Sequence, residues 1–288
     1  MIEGVCARIL ATDSPWSDVM RPIRTLTLGT AALSSAVALA LPSLGSAAEA
    51  SSVNYVALGD SYSSGVGTGS ESGSCGQSSQ AYGPLWAAAN SPASFTFAAC
   101  SGAKVSDVIN SQLSSVNSST SLISITIGGN DAGFTSIMET CNLGSDSQCQ
   151  NAVNNGVSYA QNTLPGTLNT MFSDIRAKAP NAAIVYLGYP DFYDLSVPVC
   201  IGLDRTKHTA LDNGIDAIDA AMKSSAASNN VTFADVRNQF SGHELCDSNA
   251  WLHSVDWSNF GESYHPTAAG QSSGYLPVFS AAATSLGQ

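Results

Sequence analysis

The chain has 288 residues, 10 Lys+Arg against 22 Asp+Glu, a formal net charge of −12 and only 11% charged residues. So acidic a chain with so few cations argues against nucleic acid as a partner and against electrostatic docking onto anionic membranes. Ser, Ala, Asn and Gly stand where charge is missing, which suits the neutral polar surface of an exported protein.

The first 50 residues are expected to lie outside the fold. Arg21 and Arg24 precede an uncharged stretch from Thr25 to Ala48, and small residues follow at Ser46, Ala47, Ala48 and Ala50. That order is the order of a secretory signal: basic, apolar, then a small-residue cleavage site. Cleavage after Ala48 and after Ala50 fit equally well. Met20 would begin a conventional signal by itself, which makes the residues before it an upstream extension. The apolar run is nearly long enough to anchor in a bilayer, but its small-residue exit favours removal. Residues 51–288 then form a single domain, with seven basic and 18 acidic residues and a net charge of −11.

Of seven cysteines, Cys6 falls in the discarded region, leaving Cys75, Cys100, Cys141, Cys149, Cys200 and Cys246. An even count in an exported chain reads as three disulfides, and six cysteines permit 15 pairings that sequence does not distinguish. Consecutive pairing is the working expectation: Cys75–Cys100, Cys141–Cys149 and Cys200–Cys246. Neither a Cys-x-x-Cys nor a Cys/His cluster is present, so no zinc or other metal is expected.

Along the chain, apolar β-type runs alternate with helical stretches. Val53–Leu58 reads as a strand running into Gly59-Asp60-Ser61-Tyr62-Ser63-Ser64-Gly65. Phe95–Ala99 is a short strand followed by a helix over Val105–Leu113. Leu122–Ile127 is a buried strand ending at Gly128-Gly129-Asn130-Asp131. Val153–Lys178 is helical but broken by Pro165, which lacks a backbone donor. Ala183–Gly188 is a strand, Thr206–Ala226 a helix with Ala210, Leu211, Ile215, Ile218 and Met222 at helical spacing, and Val231–Asp235 the last strand. Pro266 opens the final helix, where proline is tolerated in the first turn. This alternation predicts an α/β fold, three layers in α/β/α order around a central parallel sheet. In such sheets ligands bind at the carboxyl ends of the strands, where Ser61, Gly102 and Asn130 all fall.

Ser61 ends a strand and begins a helix, so its hydroxyl sits beside free backbone N–H groups. A serine so placed can attack a carbonyl while those donors receive the developing charge. Taken alone it is as readily a helix cap. Near the other end, Ser263-Tyr264-His265-Pro266 offers a histidine in a comparable setting. His208 is read as a surface residue, and His243 and His253 as structural, with His253 the better candidate for a pocket. Asp60 and Asp131 are read as local acceptors of backbone N–H groups.

With Gly-Asp-Ser at Ser61, a glycine after the second strand at Gly102, Gly-Gly-Asn-Asp at Asn130 and a C-terminal histidine at His265, the chain resembles the GDSL (SGNH) hydrolases. The likeness is greatest to secreted actinomycete lipases and esterases. The resemblance implies the flavodoxin-like form of the fold and a serine ester hydrolase that works through an acyl-enzyme. Ser61 would be the nucleophile, and its N–H, the Gly102 N–H and the Asn130 amide the oxyanion donors. His265 would be the general base. The pattern departs at the third member, since Glu262 stands where aspartate is usual. Glu262 is taken as the partner of His265, with the main-chain carbonyl of Ser263 as the alternative. An aromatic set comprising Tyr189, Phe192, Tyr193, Trp251, Trp257, Phe260 and Tyr264 is the candidate lining of an acyl groove.

The expected activity is lipase, with phospholipase A1-type or broad short-chain esterase activity next. An acyltransferase using the same intermediate, or a non-catalytic binder of lipid or polysaccharide, stands behind these. No cofactor is expected. The expected partner is a lipid or other ester substrate, without nucleic acid or stable membrane insertion, and the protein is expected to be a secreted monomer.

Overall fold

In the computed structural model, which describes residues 52–200 and 202–288, five strands form one all-parallel sheet. They are β1 (Asn54–Gly59), β2 (Ser94–Phe97), β3 (Leu122–Thr126), β4 (Ala183–Leu187) and β5 (Thr232–Ala234), in the spatial order β2-β1-β3-β4-β5. The proposed signal and Cys6 lie outside the described residues. β1 aligns Tyr55 with Leu122 and Leu58 with Ile125, and β3 aligns Ile125 with Tyr186 of β4. Every residue of β3 is buried, as expected of a parallel strand covered on both faces, where the sequence reads as a continuous apolar run rather than an alternating one.

The helices are α1 (Ser61–Ser64), α2 (Tyr82–Asn90), α3 (Val105–Asn110), α4 (Phe134–Leu143), α5 (Asp146–Asn162), α6 (Leu164–Lys178), α7 (Arg205–Ser228), α8 (Arg237–Phe240) and α9 (Leu276–Ser285). Tyr55 points to one face of the sheet, where its ring meets Trp86 of α2 and Phe279 of α9. Tyr186 points to the other, against Phe172 of α6. Helices on both faces complete the expected three layers.

Differences from the sequence expectation have local causes. The long helical stretch divides at Thr163, and Pro165 sits in the first turn of α6 where its missing donor costs nothing. α5 starts seven residues earlier than its apolar periodicity suggests because Ser145 and Gln148 form a reciprocal cap. α2 and α4 were not expected. The last helix is wide-turned over Gly270–Tyr275 before α9 begins; this stretch turns Gln271 and Tyr275 inward, both buried.

Disulfides join Cys75–Cys100, Cys141–Cys149 and Cys200–Cys246. The first ties the loop after α1 to the segment after β2, and the second ties the end of α4 to the start of α5. The third spans 46 residues, a length for which chain-entropy reasoning gives about 4 kcal/mol of stabilisation. Among the described residues no helix is long and apolar enough to cross a membrane.

Candidate active site

The strand order reverses direction between β1 and β3, so the loops that leave these strands open a crevice at the carboxyl edge. β1 ends at Gly59, with φ at +124°; a Cβ there would lie 2.4 Å from the Thr126 carbonyl oxygen and 2.5 Å from Ser63 Oγ. Only glycine lets the chain turn this close to β3. Gln112 then pins the turn from both sides, accepting from Gly59 N–H and donating to Gly59 C=O at 2.8 Å each.

Asp60, not Ser61, caps α1, its carboxylate accepting from Tyr62 N–H at 3.0 Å. That leaves the Ser61 hydroxyl free in the first turn. Asp60 also accepts from Tyr189 Oη at 2.5 Å, and burial pushes its carboxyl up to about 7. Asp131 plays the local role expected of it, accepting from Val105 N–H at the start of α3.

Ser61 and His265, 204 positions apart, meet: Ser61 Oγ lies 2.7 Å from His265 Nε2. The other ring nitrogen, Nδ1, faces the Ser263 carbonyl oxygen at 3.1 Å. That bond fixes the tautomer, because a carbonyl can only accept: Nδ1 carries the hydrogen and Nε2 is left basic toward Ser61. The Glu262 carboxylate, expected to orient His265, instead accepts from Asn259 Nδ2 at 2.6 Å.

The reason is a turn. Ser263 has φ −55° and ψ 136°, Tyr264 has φ +64°, and His265 N–H donates to Glu262 C=O at 3.1 Å. These are the features of a type II turn with tyrosine where glycine is usual. Such a conformation costs on the order of 1–3 kcal/mol for a bulky residue. It is offset by anchoring: Tyr62 Oη donates to Tyr264 C=O at 2.6 Å, Tyr193 Oη bonds Tyr264 Oη at 3.1 Å, and Tyr264 N–H donates to His253 C=O at 2.8 Å. The turn presents the Ser263 carbonyl to the imidazole and directs the Glu262 side chain elsewhere.

His265 is buried, with Tyr62 and Phe134 rings 5.1 and 5.9 Å away. Burial pushes its imidazole down to about 4, the nearby Ser263 carbonyl opposing only in part. It is therefore neutral near pH 7, in the state a general base requires.

Gly102 has φ +77°, with no atom within 4 Å of where a Cβ would stand. Cys100 N–H donates to Gly59 C=O at 3.0 Å, holding this loop beside the β1 turn. Asn130 Nδ2 donates one hydrogen to Ala103 C=O at 3.0 Å, which ties the β3 loop to the Gly102 loop. Its second N–H, the Ser61 N–H and the Gly102 N–H donate to no protein group among the described residues. An oxyanion is the kind of group such donors would receive.

Ser61 opens onto a narrow cleft with largely apolar walls. Of the aromatic set, Tyr189 and Phe192 line it, while Tyr193, Trp251, Trp257, Phe260 and Tyr264 do not. The remaining walls are apolar and come mainly from α4, where Phe134 joins Ile137 and Met138, and from α5 and α7; on α5 and α7 helical periodicity alone marked such positions only as core. The other histidines sit apart from the Ser61 hydroxyl. His253 Nε2 bonds Gly67 C=O at 2.6 Å, and His243 stacks on Trp251 at 3.6 Å. His208, expected at the surface, is buried and stacked on Tyr193 at 3.8 Å.

Residues 57–272 match the GDSL-like Lipase/Acylhydrolase family. The chain is 54% identical over 232 residues to Lipase 1 of Streptomyces coelicolor, covering 80% of this chain and 86% of that one. It is 52% identical to the crystal structure of phospholipase A1 from Streptomyces albidoflavus NA297, with a TM-score of 0.78 over 80% of this chain and 98% of that one. The extracellular lipase of Streptomyces rimosus superposes equally well, at TM-score 0.78 and 48% identity over 80% and 99% of the two chains. By its four sequence blocks, its sheet order and these likenesses, the chain belongs to the GDSL-like lipase/acylhydrolase family.

Proposed function

We propose that this protein is an exported lipase, a serine ester hydrolase that cleaves carboxylic esters of lipids through an acyl-enzyme on Ser61. The observation that carries the reading is the Ser61 Oγ–His265 Nε2 contact of 2.7 Å at the mouth of an apolar cleft. His265 Nε2 takes the Ser61 proton as Oγ bonds the ester carbonyl carbon. The carbonyl oxygen, now anionic, is received by the Ser61 N–H, the Gly102 N–H and Asn130 Nδ2. The C–O bond to the alcohol breaks, and the proton on Nε2 passes to the leaving alkoxide. Water then enters and gives a proton to His265 as its oxygen bonds the acyl carbon; the bond to Ser61 Oγ breaks as that proton passes from Nε2 to Oγ, releasing the acid and restoring the site. No step calls on a metal or organic cofactor. Export is supported by the three disulfides and by the likeness to an extracellular lipase.

The reading is tested by titrating acid released from an emulsified triacylglycerol; steady Ser61-dependent release is expected, and none would overturn it. Phospholipase A1-type activity is the second reading, favoured by the likeness to the Streptomyces albidoflavus enzyme. It predicts release of the sn-1 acid from phosphatidylcholine by the same site.

Two expectations concern the proton relay. With the Ser263 carbonyl as the partner of His265, Glu262→Ala is expected to keep kcat within about threefold of wild type, since only an exposed bond to Asn259 is lost. A loss on the order of 10⁴, the effect of removing a working carboxylate from a triad, would instead assign Glu262 to the relay. The second is the acid limb of kcat/KM. Folding depresses the imidazole from an unfolded value of about 6.5 to about 4. The base form therefore persists on acidification, and the limb is expected near pH 4 rather than between 6 and 7. The same shift sets the sign for stability: below about 6.5 the unfolded chain takes up a proton the native site resists, so stability falls as the pH drops toward 4.

A further inference from the structure

The cleft at Ser61 has a division of labour between loops and helices. Its polar side chains, Asp60, Ser61, Tyr62, Asn130 and Tyr189, all come from the segments that follow β1, β3 and β4. Beyond them the walls are apolar and come mostly from three helices: Ile137 from α4, Val153 and Gly156 from α5, and Gly214 and Ile218 from α7. The wall supplied by α7 runs from Leu211 to Ile218, about 10 Å of helix axis at 1.5 Å per residue.

Two of these wall positions are glycines in helix interiors. Neither Gly156 nor Gly214 has a positive φ, so no backbone conformation calls for glycine, and a helix interior is weakened by it. Both face tight neighbours across the slot. A Cβ at Gly156 would lie 2.7 Å from Ile137 Cδ1 and 3.0 Å from the Ala132 carbonyl oxygen; one at Gly214 would lie 3.2 Å from Val153 Cγ1. Without side chains at these positions Ile137 and the Ala132 carbonyl pack directly on α5, and Val153 packs on α7; a side chain at either glycine would have to displace a residue that walls the cleft.

We propose that Gly156 and Gly214, with Ile137 above them, set the acyl-chain capacity of the site. The substrate is an ester of a medium-length to long aliphatic acid, carbonyl at Ser61 and tail between α5 and α7. The proposal rests on the ester-hydrolase reading. Close packing of α5 on α7 would by itself account for small residues there, but it would not couple them to the length of the substrate. That coupling is the readout.

The test uses p-nitrophenyl esters from acetate to palmitate with wild type, Gly214→Val and Ile137→Ala. Gly214→Val places two methyls in the slot and is expected to lower the octanoate-to-acetate ratio of kcat/KM by about tenfold or more, on the scale of a few methylene contacts. Ile137→Ala removes the atoms over Gly156 and is expected to raise the palmitate-to-acetate ratio by about threefold or more. Should Gly214→Val fail to fold, the Ile137→Ala ratio decides. Ratios equal to wild type, with Ser61-dependent acetate hydrolysis intact, overturn the acyl slot and leave the hydrolase reading standing. A wild type that turns over none of the esters overturns both.

Discussion

Ser61→Ala and His265→Ala are each expected to lower kcat for ester hydrolysis by on the order of 10⁶, and the double variant by no more than either alone. The two groups act as one unit. Without His265 the Ser61 hydroxyl has no acceptor among the described residues, and without Ser61 the imidazole has nothing to activate but water. Non-additivity therefore follows from the 2.7 Å contact. Neither substitution should unfold the protein. Ser61 supplies its capping carbonyl through the main chain, and the turn that carries His265 is held by Tyr62, Tyr193 and His253. Unchanged circular dichroism and thermal midpoint are the controls. Activity of His265→Ala within about a hundredfold of wild type would contradict the account, because the oxyanion donors alone do not provide that much.

Asn130→Ala is expected to cost about 10²–10³ in kcat with a much smaller change in KM. Its amide has two hydrogens; one is committed to Ala103 C=O, and the other has no protein acceptor among the described residues. A donor that strengthens only as the carbonyl oxygen gains charge lowers kcat when it is lost, without loosening the ground state. Asn130→Asp should be at least as damaging, since it sets a carboxylate against the developing anion. Were the effect mainly on KM, Asn130 would be a loop tie through Ala103 and not an oxyanion donor.

Much of this site was legible in the sequence because its parts sit at strand ends. Ser61, Gly102 and Asn130 each follow a β-type run, and parallel-sheet topology then forces the three loops to one edge. Consecutive cysteine pairing also agrees with the structure; the short polar loop between Cys141 and Cys149 gave a physical reason for that pair, and the other two had none. The partner of His265 was not legible, since Glu262 has the chemistry expected at its position. Its exclusion depends on a tyrosine adopting φ +64° at Tyr264, a conformation that propensity argues against and that only the surrounding Tyr62, Tyr193 and His253 contacts impose. The acyl slot was hidden for a different reason. Val153, Leu211, Ile215 and Ile218 have the periodicity of ordinary core positions, and only the packing of α5 against α7 shows that part of their surface faces a cleft. α4 gave no signal of its own, because Thr135, Ser136, Glu139 and Thr140 interrupt its apolar residues.

The central claim is that Ser61, activated by His265, is the residue acylated in turnover. The most direct measurement is mass spectrometry of the enzyme inactivated by a p-nitrophenyl phosphonate ester. One covalent adduct is expected, on Ser61 in the Gly59–Gly65 turn, formed on the timescale of inactivation and slowed on the order of 10³-fold or more in His265→Ala. An adduct on Ser63, Ser64 or any other residue, or inactivation that proceeds equally fast without His265, would contradict it.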